Sequence, residues 1–326
     1  MYRGKRWFLA GILSVLIVIF IVGVKQVQSQ EKYPTKPIDV IVAFAPGGGA
    51  DLSARVAATY LNKKWGVPVN VINKPGGSTL PANVELYSAP PNGYTVIYND
   101  QSISALGLIM KDLPFKVLDR TFLGMVNVGI YFFVVPSSTP YKSLEDVIKE
   151  AKRDPENFTW ASLGGIGGHD STTRQFFKAI GVDVSKTKPV MSKGGSETAA
   201  LVSGGHVKLG AGSIAAWRGA VKAGLIRMLA TTGKERHPEF PDVPTTAELG
   251  YPAMNIVWWA GFSGPPNMSS GIIDIWEKAL QEMVKDPAYV SQATKMGNMV
   301  FYLNSRQLKE HVRKEIEELN ELYSVK

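Results

Sequence analysis

The sequence predicts an α/β protein of two lobes with a cleft between them, and three observations carry that expectation. Short apolar strands alternate with helical stretches over 38–98 and again over 143–230. Each series contains a glycine-rich passage from a strand into a helix, Gly47-Gly48-Gly49 in the first and Gly164-Gly165-Ile166-Gly167-Gly168 in the second. Extended segments near 130–136 and 250–258 allow the chain to cross between the lobes twice. The expected division is a discontinuous first domain, 33–133 with 256–326, a second domain, 134–255, and a leader and linker at 1–32.

The leader has its own logic. Arg3, Lys5 and Arg6 precede an uncharged, mostly apolar run of 18 residues from Trp7 to Val24, closed by Lys25. A basic start before an apolar core is the export pattern. Two outcomes stay open. The segment is cut after Ser29, with Val27 and Ser29 as the small residues, or it stays as a membrane anchor, being about long enough to span a bilayer. Either way, Tyr33 onward is expected outside the cytoplasmic membrane. The formal charge of +8 includes those four basic residues, and past residue 29 the balance is 32 basic to 28 acidic. That mild excess, without a dense basic cluster, disfavours nucleic acid as a partner. Cysteine is absent, which excludes disulfides, thiolate metal sites, a cysteine nucleophile and lipidation at an N-terminal cysteine.

The elements follow in order. Residues 31–37 form a Pro-marked linker into the strand Val40–Phe44, and Leu52, Val56 and Tyr60 lie at helical spacing over about 52–64. Val67, Val69 and Val71 alternate as a strand, Pro81 opens a helix, and Asn92-Gly93 turns into a strand at Tyr94–Tyr98. This order makes a parallel sheet whose carboxyl-end loops, Pro46–Asp51, Gly76–Thr79 and Asn99–Ser102, converge. Ile130–Val135 reads as one apolar strand leading into the second domain. There a helix is expected over 143–153, strands at Phe158–Ala161, Thr187–Met191, His206–Gly210 and Leu225–Ala230, and a helix carrying Phe176, Phe177 and Ile180. Gly194-Gly195-Ser196 opens another helix. A Pro-rich connector at 238–252 precedes a strand at Ile256–Phe262, and helices follow over 269–286 and 305–323. Leu308, Val312, Ile316 and Leu319 share one face of the last.

The chemistry is expected at the glycine-rich loops. A strand, a Gly-rich turn and a helix start present unpaired backbone N–H groups and the positive end of the helix dipole, a setting for an anion. A dinucleotide or nucleotide loop is a poor fit. Leu52 stands where the last glycine of G-x-G-x-x-G belongs, Asp170 stands there when counting from Gly165, and no P-loop lysine follows. The plainer alternative is that the glycines serve only positive φ and close packing. Asp51 reads as a helix cap, with an ammonium contact as its alternative. His169 either donates to a carboxylate or satisfies loop carbonyls, and Lys193 is an anion contact or a solvated surface lysine. His206, His237 and His311 lack ligand spacing, so no metal or cofactor is expected. There is no G-x-S-x-G elbow and no acid–base pair locatable by spacing, so the chain is expected not to be an enzyme. Trp258 and Trp259 read as core or cleft-wall packing.

In these segments the chain resembles the extracytoplasmic solute-binding receptors of tripartite tricarboxylate transporters, the Bordetella uptake gene (Bug) family. The resemblance rests on the stretches 33–55, 68–77, 90–99, 164–169, 203–213, 224–250 and 259–265, weak singly but specific in this order and spacing. It implies a type II periplasmic-binding-protein fold that closes on a small carboxylate: a di- or tricarboxylate, an acidic amino acid or an aromatic acid. It also implies delivery to a membrane permease of one large and one small subunit. The carboxylate loops map onto Pro46–Asp51 and Ser162–His169. The expected ligand-binding set is Phe44, Pro46, Gly47, Gly48, Gly49, Asp51, Gly77, Ser78, Asn99, Gln101, Ser102, Ser162, Gly164, Gly165, Gly167, Gly168, His169, Lys193, Ser213 and Trp259. The chain departs from many relatives at Ser192, where they have Tyr, and at Lys208, where they have Asp. A sensor that presents its bound ligand to a signalling partner is the alternative use of the same architecture.

Overall fold

In the computed structural model, which describes residues 33–323, the first strand-and-helix series belongs to a six-stranded sheet and the second to a three-stranded and a two-stranded sheet side by side. The strands are β1 (Ile38–Val42), β2 (Val69–Asn73), β3 (Thr95–Asp100), β4 (Thr121–Ile130), β5 (Phe132–Pro136), β6 (Thr159–Ser162), β7 (Lys188–Met191), β8 (Gly210–Gly212), β9 (Ile226–Thr231), β10 (Val257–Gly264) and β11 (Met299–Leu303). The helices are α1 (Gly49–Trp65), α2 (Leu80–Ser88), α3 (Ser102–Ile109), α4 (Leu144–Arg153), α5 (Gly167–Ile180), α6 (Gly195–Ser203), α7 (Ile214–Lys222), α8 (Ser270–Met283), α9 (Pro287–Lys295) and α10 (Ser305–Tyr323).

The first sheet has the order β11-β4-β10-β3-β1-β2. β1 runs parallel to both β2 and β3, and four of its five residues (Ile38, Val40, Ile41 and Val42) are buried, as expected of a strand covered on two faces. In the second lobe β5 lies between β8 and β9. Two backbone bonds, Ala161 N–H to the Leu209 carbonyl and Lys208 N–H to the Thr159 carbonyl, both 3.0 Å, attach β6 and β7 alongside. That sheet therefore reads β7-β6-β8-β5-β9. The core of the first sheet, β2-β1-β3-β10-β4, has the same plan. In each, the fourth strand is antiparallel to its neighbours and is the one the chain enters on crossing over.

Several expectations shift. α1 starts at Gly49, so the glycine loop itself supplies the first helical turn. The apolar run read as one strand, Ile130–Val135, belongs to two, because β4 ends at Ile130 and β5 begins at Phe132 in the other sheet. β4 itself, ten residues long, escaped the reading; seven of its residues are buried, and that erases the alternation. The short strand expected at His206–Gly210 lies at Gly210–Gly212. The helix expected over 269–286 ends at Met283, and Asp286 caps a second helix by accepting from the Ala288 and Tyr289 amides. α7 and β11 were not anticipated. Among the described residues no helix is long and apolar enough to cross a membrane. The Trp7–Val24 run and Ser29 lie outside the described residues.

One buried cation bears on the first lobe's stability. Arg120, 2% exposed, donates from Nε to the Val117 carbonyl at 3.1 Å and from Nη2 to Asn83 Oδ1 at 2.9 Å. Its guanidinium lies 5.4 Å from the Tyr87 ring centre, and burial holds it below its usual range. Arg120→Lys cannot reproduce a planar fork that serves two acceptors and a ring, so it is expected to cost about 2 kcal/mol. Urea unfolding measures this, and an unchanged midpoint would show the fork to be dispensable.

Candidate functional site

The loops at the carboxyl ends of the strands bring the lobes into contact. Ala45 N–H donates to the Lys193 carbonyl at 2.9 Å, and Ser196 Oγ donates to the Pro46 carbonyl at 2.9 Å. On the other side Ser78 Oγ donates to the Gly164 carbonyl at 3.0 Å. Between these contacts lies a cavity of about 40 Å³, with a wider recess of about 410 Å³ beside it; Phe44 and Leu163 border both.

The cavity wall is built from helix beginnings. Gly49 and Ala50 open α1, Gly168 and His169 lie in the first turn of α5, Gly195 is the first residue of α6, and Ser213 occupies the N-cap position of α7 without bonding its amides through the side chain. The first amides of each helix have no partner four residues back, and each helix end carries roughly half a positive charge. Among the described residues neither lysine nor arginine lines the cavity. Glycine is needed here for close approach. A Cβ on Gly48 would lie 3.2 Å from the Gly195 amide nitrogen, and one on Gly168 would fall onto the Tyr131 hydroxyl.

His169 is partly buried, stacks edge-on against Tyr131 at 5.6 Å between ring centres, and its buried Nδ1 has no partner among the described residues. Burial drives its pKa down to about 4, so the imidazole is neutral at pH 7. Asp100 ends β3 in the same wall. Its Oδ1 accepts from the Ser102 amide at 2.9 Å, and burial raises its pKa against that bond. Tyr131, at the crossing between the sheets, Trp258 and Ala260 complete the enclosure.

The expected residues divide by place. Phe44, Gly48, Gly49, Gly168, His169 and Ser213 line the cavity, while Gly77, Ser78, Gly164 and Lys193 line the wider recess together with Phe44. Pro46 is part of the contact between lobes. The others lie elsewhere, and each displacement has a cause. Asp51, 2% exposed, is turned inward and ties down the loop before α1 rather than capping the helix amides, accepting from the Gly47 amide at 2.9 Å, Arg55 Nε at 3.1 Å and Asn73 Nδ2 at 2.9 Å. Burial alone would raise its pKa, but these donors hold it below the usual carboxylate value. Ser162 donates to Asp170 at 2.5 Å, and Asp170 takes the Leu163 amide at 2.7 Å and the Gly165 amide at 3.0 Å. The first half of the second glycine loop thus spends its donors on itself. A Cβ on Gly165 would meet Ile109 Cδ1 at 3.6 Å, and one on Gly167 would meet Ser102 Cβ at 3.7 Å. Ser102 and Asn99 are buried, with the Asn99 amide unpartnered among the described residues. Gln101 and Trp259 turn away to bond Glu315, Gln101 at 2.7 Å and Trp259 at 3.0 Å to each oxygen.

Asp100, Trp258, Ala260, Tyr131, Leu163, Ala50 and Gly195 also line the cavity and were not in the expected set. Strand alternation could have found three of them. Asp100 lies between Asn99 and Gln101, and Trp258 and Ala260 flank Trp259 on the opposite face of β10. Lys208, at one of the departures, pairs with Glu150 at 2.8 Å and does not line the cavity.

The two matched sheets, the crossing strands and the ring of helix starts define a two-lobed binding-protein fold with its site between the lobes. The model of the tripartite tricarboxylate transporter family receptor matches residues 53–324, and the chain belongs to that family. It is similar to the UPF0065 protein in the gbd 5' region of Cupriavidus necator, 30% identical over 310 residues and covering 93% of this chain and 92% of that one. Its fold is similar to the periplasmic binding protein BugD, with a TM-score of 0.84, 22% identity and coverage of 90% and 99%. It is similar too to MatC from Rhodopseudomonas palustris, solved with bound malate, with a TM-score of 0.82, 22% identity and coverage of 90% and 100%.

Proposed function

We propose that the protein is an extracytoplasmic receptor, not an enzyme, that captures a small carboxylate between its lobes and delivers it to a membrane permease of one large and one small subunit. One observation carries the reading: four helix N-termini line one cavity whose wall, among the described residues, holds no lysine or arginine. Backbone amides fixed by helix geometry then do the work usually left to cationic side chains. They hold carboxylate oxygens in charge-assisted hydrogen bonds, and lobe closure strengthens these by removing water. Residues 33–133 with 256–326 move as one lobe and 134–255 as the other, hinged where the chain crosses near Tyr131 and before β10. The leader exports the chain and is either cleaved or kept as an anchor. The malate in MatC agrees with this ligand class.

A thermal-shift screen against mono-, di- and tricarboxylates tests the reading. Ligand at about 100 times Kd is expected to add roughly 2.7 kcal/mol of stability. Shifts with sugars or cations but with no carboxylate would overturn it.

A further inference from the structure

We propose that Asp100 makes this cavity select a small zwitterion, an amino acid over the matching plain carboxylate, with the ligand's ammonium at Asp100 and its carboxylate at the helix N-termini. The proposal rests on the anion reading above and adds the group that discriminates among anions. Among the described residues Asp100 is the one carboxylate in the wall, and no lysine or arginine lines the cavity to neutralise it. Its neighbours in kind are occupied elsewhere, Asp51 within the first glycine loop and Asp170 within the second. Oδ1 of Asp100 accepts the Ser102 amide at 2.9 Å, which fixes the carboxyl at the start of α3. Asp100 is only partly buried by area, and the surface it keeps borders the cavity.

A ligand with carboxylates only would bring negative charge toward Asp100 with no cation between them. An ammonium group turns the same contact into an ion pair sheltered from water. A second group also awaits a ligand. The buried Nδ1 of His169 has no partner among the described residues in the same wall, and as a neutral imidazole it can meet either a donor or an acceptor. The Phe44 and Trp258 rings line the cavity as well, and aromatic faces accept both a carbon skeleton and an ammonium.

Calorimetric titration of the full chain with matched pairs decides the matter: aspartate and succinate, glutamate and glutarate, phenylalanine and 3-phenylpropanoate, with malate added to the first. At least one amino acid is expected to bind ten-fold or more tighter than its partner, and malate is expected to fall between succinate and aspartate. Asp100→Asn is expected to abolish that preference while keeping or improving affinity for the plain acid, which also shows that the variant is folded. Plain acids that bind as tightly as their amino partners in all three pairs would overturn the proposal and leave the anion reading standing. So would a preference that survives Asp100→Asn. If no member of any pair binds, the anion reading fails and this proposal with it.

Discussion

Gly48→Val is expected to weaken ligand binding at least 100-fold while leaving the unliganded fold nearly as stable as before. Gly48 has φ −79° and ψ 169°, an extended conformation open to any residue, so valine meets no backbone strain there. The obstacle lies across the cleft. A Cβ at this position stands 3.2 Å from the amide nitrogen and 3.6 Å from the Cα of Gly195, and both are backbone atoms that cannot rotate aside. Valine's two methyls add bulk at the seam, so closure must stop short and the amides of α1 and α6 cannot reach the same ligand. A 100-fold loss corresponds to about 3 kcal/mol. Titration calorimetry on the variant, with its unfolding curve as control, reads both halves of the expectation. Affinity within a few-fold of the parent protein would mean that the seam is not the closing surface.

The second large effect concerns Glu315, which lies on α10 with 7% exposure. Its carboxyl accepts from Gln101, from the single Trp259 indole N–H shared between its two oxygens, and from the Ser104 hydroxyl. Burial nonetheless pushes its pKa up to about 7 from an ordinary 4.5. A carboxyl whose folded pKa exceeds its unfolded one contributes stability in full below the unfolded value, and the contribution is lost as pH rises through the folded value. The window is thus pH 4.5 to 7, and a shift of this size is worth about 3 kcal/mol. His311 Nε2, 4.0 Å away, does not compensate, because burial holds it below its ordinary 6.5. Glu315→Gln keeps the shape and removes the titration. Relative to the variant, the parent protein is expected to lose about 3 kcal/mol between pH 4.5 and pH 8, as measured by urea unfolding. Parallel stability curves would show that Glu315 does not titrate in this range.

How much of this was legible in the sequence varies with the range of the force involved. The strand–glycine–helix junction at 38–55 could be read because its signals are local: a β-branched run, three glycines, then helical spacing. Helix 305–323 was equally plain, since Leu308, Val312 and Leu319 recur on one face and all three are buried. The crossing at Tyr131 was blurred because β4 and β5 are both apolar on both faces, so nothing in their pattern marks where one sheet ends. The site was half legible. Glycine loops announce themselves, but which amides stay free depends on long-range choices. Asp170 consumes those near Gly165 and leaves the start of α5 open. The strand's phase at Trp258 and Trp259 is not marked locally: Trp259 turns to Glu315, a residue 56 positions away, and Trp258 to the cavity.

The seam between Ala45–Gly48 and Lys193–Ser196 is made largely of main chain: an amide on a carbonyl, a serine hydroxyl on a carbonyl, and glycine against glycine. Main-chain atoms do not change when a side chain is replaced. On the proposed reading, the device that shuts the molecule is therefore written separately from the residues that would choose its cargo, Asp100, His169 and Trp258. Selectivity can drift, or be redesigned, without rebuilding the latch. The scaffold is thus suited to a reagentless sensor, in which positions 100 and 258 are varied while a fluorophore pair across the seam reports the same closing motion for each new ligand.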